Sequence, residues 1–144
     1  MNKIFLLIFI PIIFILSCST EKSDARLSLE NYLLNIKNEE FQSAYLFLSS
    51  NVKENCKFND FKKNATNNYD AIRYSMLVYS GESNSEGKAN VSFIIKIDDN
   101  KVNLFDMQIL DPYLEEETAR LVFEDNKWAL NNLIWPIDWC EEMK

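Results

Sequence analysis

The sequence of 144 residues contains no histidine, two glycines, three prolines and three cysteines. Without histidine there is no His-based triad, no imidazole general base and no His metal ligand. The two glycines, Gly81 and Gly87, fall in one short stretch, which excludes the Gly-rich loops that cradle phosphates. Positive charge is scarce: 15 Lys and Arg stand against 22 Asp and Glu, for a net charge of −7. That balance argues against a nucleic-acid partner, because no basic surplus exists to release counterions from phosphates. No apolar run reaches the ~20 residues that a membrane-spanning helix needs. There is no CxxC, nucleophile elbow or P-loop, and no motif calls for a cofactor or metal. What is present is 47% apolar residues, enough for a folded domain, in a chain long enough for one core.

The N-terminus has its own pattern. Lys3 is followed by Ile4–Leu16, an apolar run interrupted by Pro11, and the run ends Ile15-Leu16-Ser17-Cys18. Its length suits the ~7–15 residues of a signal h-region. The ending resembles the lipobox of bacterial lipoproteins, with an aliphatic residue at −3, a small residue at −1 and cysteine as the first mature residue. Leu16 at −2 departs from the smaller residue commoner there. The resemblance implies cleavage between Ser17 and Cys18, with a diacylglycerol on the Cys18 thiol holding the protein on a membrane. Residues 1–17 are then a signal peptide, 18–23 a lipidated tether, and 24–144 a single domain. Ser19 is not the aspartate that retains lipoproteins at an inner membrane, which favours an outer membrane where the host has one. An uncleaved anchor or an ordinary secretory signal is the alternative.

With Cys18 assigned to lipid, Cys56 and Cys140 remain as an even pair in an oxidising compartment. They are expected either as a disulfide tying the C-terminus to the helical half, or as two separate thiols.

In the mature chain the hydrophobic period is first helical. Ala25, Leu29, Tyr32, Leu33 and Ile36 share one helical face, with Ser23 or Asp24 to cap its start. After a break at Asn38, Phe41, Ala44, Tyr45 and Leu48 form a second stripe that Ser49-Ser50-Asn51 ends. Asn59 opens a third, with Phe61, Ala65 and Tyr69 on one face. Beyond Asp70 the period becomes two. Arg73–Tyr79 reads as a strand, Gly81–Gly87 as a hairpin connection, and Ala89, Val91, Phe93, Ile95 and Ile97 as the buried face of the next strand. Asp98-Asp99-Asn100 turns into Val102–Leu110, which Asp111-Pro112 breaks. Ala119, Leu121 and Phe123 alternate with Arg120, Val122 and Glu124, and Asp125-Asn126 turns into Trp128 and Leu130.

Helices followed by an antiparallel meander imply an α+β domain: two or three N-terminal helices packed on a curved antiparallel sheet of four to six strands. This layout resembles the nuclear transport factor 2-like (NTF2-like) superfamily, the cone-shaped fold shared with ketosteroid isomerase. Three segments carry the resemblance: Glu40-Phe41-Gln42-Ser43-Ala44-Tyr45 after the break, Phe58-Asn59-Asp60-Phe61, and the hairpin Ala119–Leu130 with Trp128 after its turn. A cystatin-like helix wrapped by a sheet is the competing layout.

The resemblance implies a pocket between helices and sheet, catalytic in some members and purely binding in others. The enzymes place an Asp or His inside it. Asp106, in Leu104-Phe105-Asp106-Met107, is the one carboxylate within an apolar strand. Facing the pocket, Asp106 would be a candidate base with its pKa raised by burial; alternation that turns Phe105, Met107 and Ile109 inward leaves it on the solvated face instead, and no catalytic residue is assigned. The tyrosines and phenylalanines read as core, and Trp128 as packing under the helices. Trp135, Pro136 and Trp139 form an aromatic cluster beside Cys140, either a lid on the cone or a partner-binding patch. Asp111, Glu115, Glu116 and Glu117 lack the ligand spacing of a calcium loop and read as a solvated acidic segment. The expectation is a lipid-anchored cell-envelope protein, non-catalytic, binding a small ligand or an envelope protein. A pocket enzyme of the isomerase or dehydratase kind, or a surface lipoprotein engaging an external protein, are the alternatives.

Overall fold

In the computed structural model, residues 23–97 and 116–134 are described, together with Ile137 and Cys140. Helices come first. α1 (Asp24–Lys37) is capped by Ser23, whose side chain accepts from the Arg26 N–H, and Lys37 sits favourably against the dipole in its last turn. Its buried residues are Ala25, Leu29, Tyr32 and Ile36, the stripe expected from the spacing. Asn38 caps the helix end and Glu39 adopts φ 61, turning the chain sharply into α2 (Phe41–Leu46).

Two expectations change here. Ser49 does not end a helix but begins one, capping α3 (Ser50–Asn55) through its hydroxyl. A Ser-Ser-Asn cluster is as good a start signal as a stop signal, and this one starts. α4 (Phe58–Asn67) starts after Lys57 rather than at Asn59, so Asn59 lies inside its first turn. With α5 (Tyr69–Arg73), the described residues hold five helical segments where two or three were expected. The extra ones are single turns too short to show a period.

The sheet has four described strands in the order β1-β2-β3-β4, all antiparallel: β1 (Ser75–Ser85), β2 (Lys88–Ile97), β3 (Glu116–Glu124) and β4 (Lys127–Leu130). Gly81–Gly87 is not a loop. β1 continues through it to Ser85, with a bulge between Tyr79 and Gly81, and the turn is only Glu86-Gly87. Its polar residues tolerate a strand because both faces there are exposed. Both hairpin turns, Glu86-Gly87 and Asp125-Asn126, have positive φ at their two central positions, the pattern that matches the right-handed strand twist. The expected strand Val102–Leu110 and its turns lie outside the described residues.

The sheet buries Ala89, Val91, Phe93, Ile95, Ala119 and Leu121 against Leu29, Tyr32, Ile36, Phe41, Phe61 and Ala65 from the helices. Cutting one of the buried leucines, isoleucines or phenylalanines among them to alanine costs about 2–5 kcal/mol. Phe123 does not follow its neighbours inward. It is 50% exposed and meets Trp128 edge-on, 5.4 Å between ring centres, at the hairpin end. Trp128 is only partly buried. A further pairing closes the far edge: Leu48 bridges Leu130 in parallel, with Ser49 N–H to the Leu130 carbonyl and Leu130 N–H to the Phe47 carbonyl.

Candidate functional site

The residues singled out from the sequence divide sharply. Ser17, Cys18, Asp106, Trp135 and Trp139 lie outside the described residues. Cys56 and Cys140 are joined as a disulfide with Cα atoms 5.3 Å apart. This ties the end of α3 to the C-terminal segment, and the Tyr45 hydroxyl donates to the Cys56 carbonyl beside it. Glu116 stands exposed on β3 and accepts from the Ser80 hydroxyl at 2.6 Å. Among the described residues no three His, Cys, Asp or Glu side chains converge as metal ligands, and no helix is long and apolar enough to cross a membrane.

The tyrosines separate into roles. Tyr32 is fully buried against Phe61, and its hydroxyl has no hydrogen-bond partner among the described residues. Burial holds its pKa far above the usual tyrosine range. Tyr45 packs on Phe58 and Phe61, and the Tyr69 hydroxyl donates to the Lys37 carbonyl at the end of α1. Tyr79 belongs to a groove.

That groove runs between α1 and β1. Leu33, Leu34 and Leu77 form its apolar lining, with Glu30, Lys37, Ser75 and Tyr79 around them, and it holds about 270 Å³ of open space. Both ends are charged. At one, the Arg26 guanidinium lies 3.6 Å from the Tyr79 ring centre while its Nε reaches Glu30 at 3.2 Å. Burial raises the Tyr79 hydroxyl to about 12, and the charge and hydrogen bond of Glu30 add to this. At the other end, the half-buried Lys37 ammonium donates to the Ser75 carbonyl, and burial lowers its pKa. Eleven helical positions separate the two cations, about 16 Å at 1.5 Å per residue. An apolar floor with polar groups at both ends suits an elongated amphipathic ligand. The sequence reading missed this groove. The i, i+4 pair Arg26–Glu30 and Lys37 were visible, but nothing in the sequence showed that β1 would run alongside them.

No protein-family model matches this chain, and no curated protein matches it in sequence. Solved structures do resemble it. An NTF-2 like protein of unknown function from Shewanella oneidensis MR-1 superposes with a TM-score of 0.55 at 9% identity, covering 75% of this chain and 92% of that one. A Campylobacter jejuni protein whose name proposes an NTF2-like transpeptidase superposes with a TM-score of 0.53 at 10% identity, covering 77% of this chain and all of that one. At such identities the likeness concerns the fold alone. The chain is an α+β domain with the NTF2-like fold.

Proposed function

We propose that this chain is a lipid-anchored bacterial envelope protein whose NTF2-like domain binds a small ligand or an envelope protein without catalysis. The signal peptide 1–17 is removed, Cys18 carries the lipid, and the domain sits outside the cytoplasm. The observation that carries this reading is the continuity between lipobox and fold. Ser23 already caps α1, so only Ser19–Ser23 separate the lipidated cysteine from the folded domain. Fully extended, those five residues span at most about 17 Å. A domain so tethered works within one domain diameter of the bilayer, where the α1–β1 groove offers a binding surface. The transpeptidase name of the Campylobacter jejuni protein is no basis for assigning that activity here.

A second reading, a surface lipoprotein that engages another protein, rests on one observation. Met76 and Val78 on the outer face of β1 are 60% and 36% exposed, and Val78 pairs with Ile94. A covered interface would hide such a patch.

Substituting Cys18→Ser in the native host tests the first reading. The wild-type protein is expected to remain with membranes through alkaline carbonate washing, and the variant to appear in the soluble fraction. Equal membrane retention of the two would overturn the proposal.

A further inference from the structure

The contacts along α1 fix the direction of the strand beside it. At the C-terminal end of the helix Lys37 reaches the Ser75 carbonyl, where β1 begins, and near the N-terminal end Arg26 stacks on Tyr79. Helix and strand therefore run in opposite directions, and β1 continues past Tyr79, beyond the first turn of α1, to the Glu86-Gly87 turn. That turn meets the second hairpin. The Phe123 N–H donates to the Gly87 carbonyl at 2.8 Å, and Phe123 Cβ lies 3.7 Å from the place a side chain on Gly87 would occupy. Both hairpin tips thus sit at the end of the domain where α1 begins, the end at which the chain from Cys18 joins it.

Apolar side chains gather at this end. Leu27, in the first turn of α1, is 39% exposed, Leu46 at the end of α2 is 54% exposed, and Phe123 packs edge-on against Trp128. Leu46 is drawn to the same hairpin. Its carbonyl accepts from Lys127 at 3.1 Å and from Lys53 at 3.3 Å, and the next carbonyl, of Phe47, accepts the Leu130 N–H. Two lysine ammoniums thus converge beside the aromatic pair. Glu124 and Asp125 lie close enough to offset their charge, so the surface is an apolar one with lysines at its rim and not a basic patch.

We propose that this end of the domain rests on the bilayer that anchors the protein, with Leu46, Phe123 and Trp128 at headgroup depth and the Lys53 and Lys127 ammoniums at the lipid phosphates. The inference builds on the lipid-anchored reading above. A tether of five residues, at most about 17 Å, keeps the first turn of α1 near the membrane, and an apolar surface held there meets lipid at a high effective concentration before it meets any diffusing partner. Tryptophan favours the interface between headgroups and acyl chains, and lysine stems lie along apolar surface while their heads stay in water. The polar turns Glu86-Gly87 and Asp125-Asn126 hold the contact at that depth, because their carboxylates resist entering hydrocarbon.

The test couples the mature chain, unlipidated, through the Cys18 thiol to a maleimide phospholipid in vesicles of phosphatidylcholine and phosphatidylglycerol; Cys56 and Cys140 are already joined to one another. Tryptophan emission is read with and without brominated acyl chains in the bilayer. Wild-type emission is expected to be quenched by the brominated lipid, and Trp128→Phe to lose most of that quenching. Phe123→Asp should reduce it about threefold or more, the carboxylate resisting transfer from water, with an unchanged melting temperature. Leu46→Asp provides the same reading if the first variant does not fold. Quenching that is absent, as when this end faces a protein partner instead, overturns the proposal. So does quenching that is equal in wild type and Trp128→Phe, or untouched by both aspartate variants. The coupling supplies the tether whatever the cell attaches to Cys18, so this test and the lipidation test fail independently.

Discussion

The Arg26 guanidinium lies 3.6 Å from the centre of the Tyr79 ring, fastening the first turn of α1 to β1. The same arginine holds Glu30 through Nε, and Glu30 in turn hydrogen-bonds Tyr79. Three side chains thus close one end of the groove, and each constrains the other two. A pair like Arg26 and Tyr79 contributes about 0.5–2 kcal/mol depending on its exposure. A double-mutant cycle with Arg26→Ala and Tyr79→Leu, read by chemical denaturation, should return a coupling within that range. Additive single effects would show that the contact is incidental.

Alkaline pH should unfold the protein through its tyrosines. Tyr32 and Tyr79 both have folded pKa values raised above the ordinary 10.0, chiefly by burial. Their neutral forms therefore stabilise the fold fully below pH 10, and that contribution is lost as pH climbs through the raised values. Lys37 acts in the opposite sense. Its folded pKa is lowered from 10.5, so the cost of burying its charge is relieved as pH rises across that interval. Tyr45 and Tyr69 are raised as well and Lys53 is lowered like Lys37, so with four tyrosines against two lysines stability should fall above pH 10. Tyrosinate absorbance and circular dichroism recorded together are expected to show part of the tyrosine signal appearing only as the fold is lost.

Tyr32→Phe should stabilise the domain. The hydroxyl is fully buried without a partner among the described residues, and a buried unsatisfied group of this kind costs about 1–3 kcal/mol. Removing it keeps the ring packed on Phe61. The midpoint of urea unfolding should rise with an unchanged slope, and a lowered midpoint would mean that the hydroxyl is satisfied.

Opening the Cys56–Cys140 bond should be costly. Its partners are 84 residues apart, and closing a loop of that size removes about 4–5 kcal/mol of unfolded-state freedom in the chain-entropy model. The Cys56→Ala/Cys140→Ala double variant is expected to melt well below the wild type. A shift of only a degree or two would show that the C-terminal segment folds against α3 without the bond.

The long elements were legible because their burial is periodic. Leu29, Tyr32 and Ile36 on α1, and Val91, Phe93 and Ile95 on β2, repeat at spacings that only one buried face explains. What escaped was set by local exposure or by contacts distant in sequence. β1 runs on through Gly81 because its far half is exposed on both faces, which erases the alternating signal. In the sequence Ser49 reads equally as an end or a start, because a cap residue does not announce on which side its helix lies. Phe123 continues the alternation of Ala119 and Leu121, yet at the hairpin end it meets Trp128 and stays half exposed. The groove escapes for the second reason: it joins positions some forty residues apart, a pairing that no linear pattern records.

Intact mass spectrometry of the protein extracted from its own membrane reads the proposed lipid on Cys18 without an intermediary. The predicted result is a chain beginning at Cys18, carrying the added mass of the diacylglycerol and any further acyl group, and two daltons lighter before reduction than after. A chain that retains Met1, or one cleaved elsewhere with an unmodified Cys18, would contradict it.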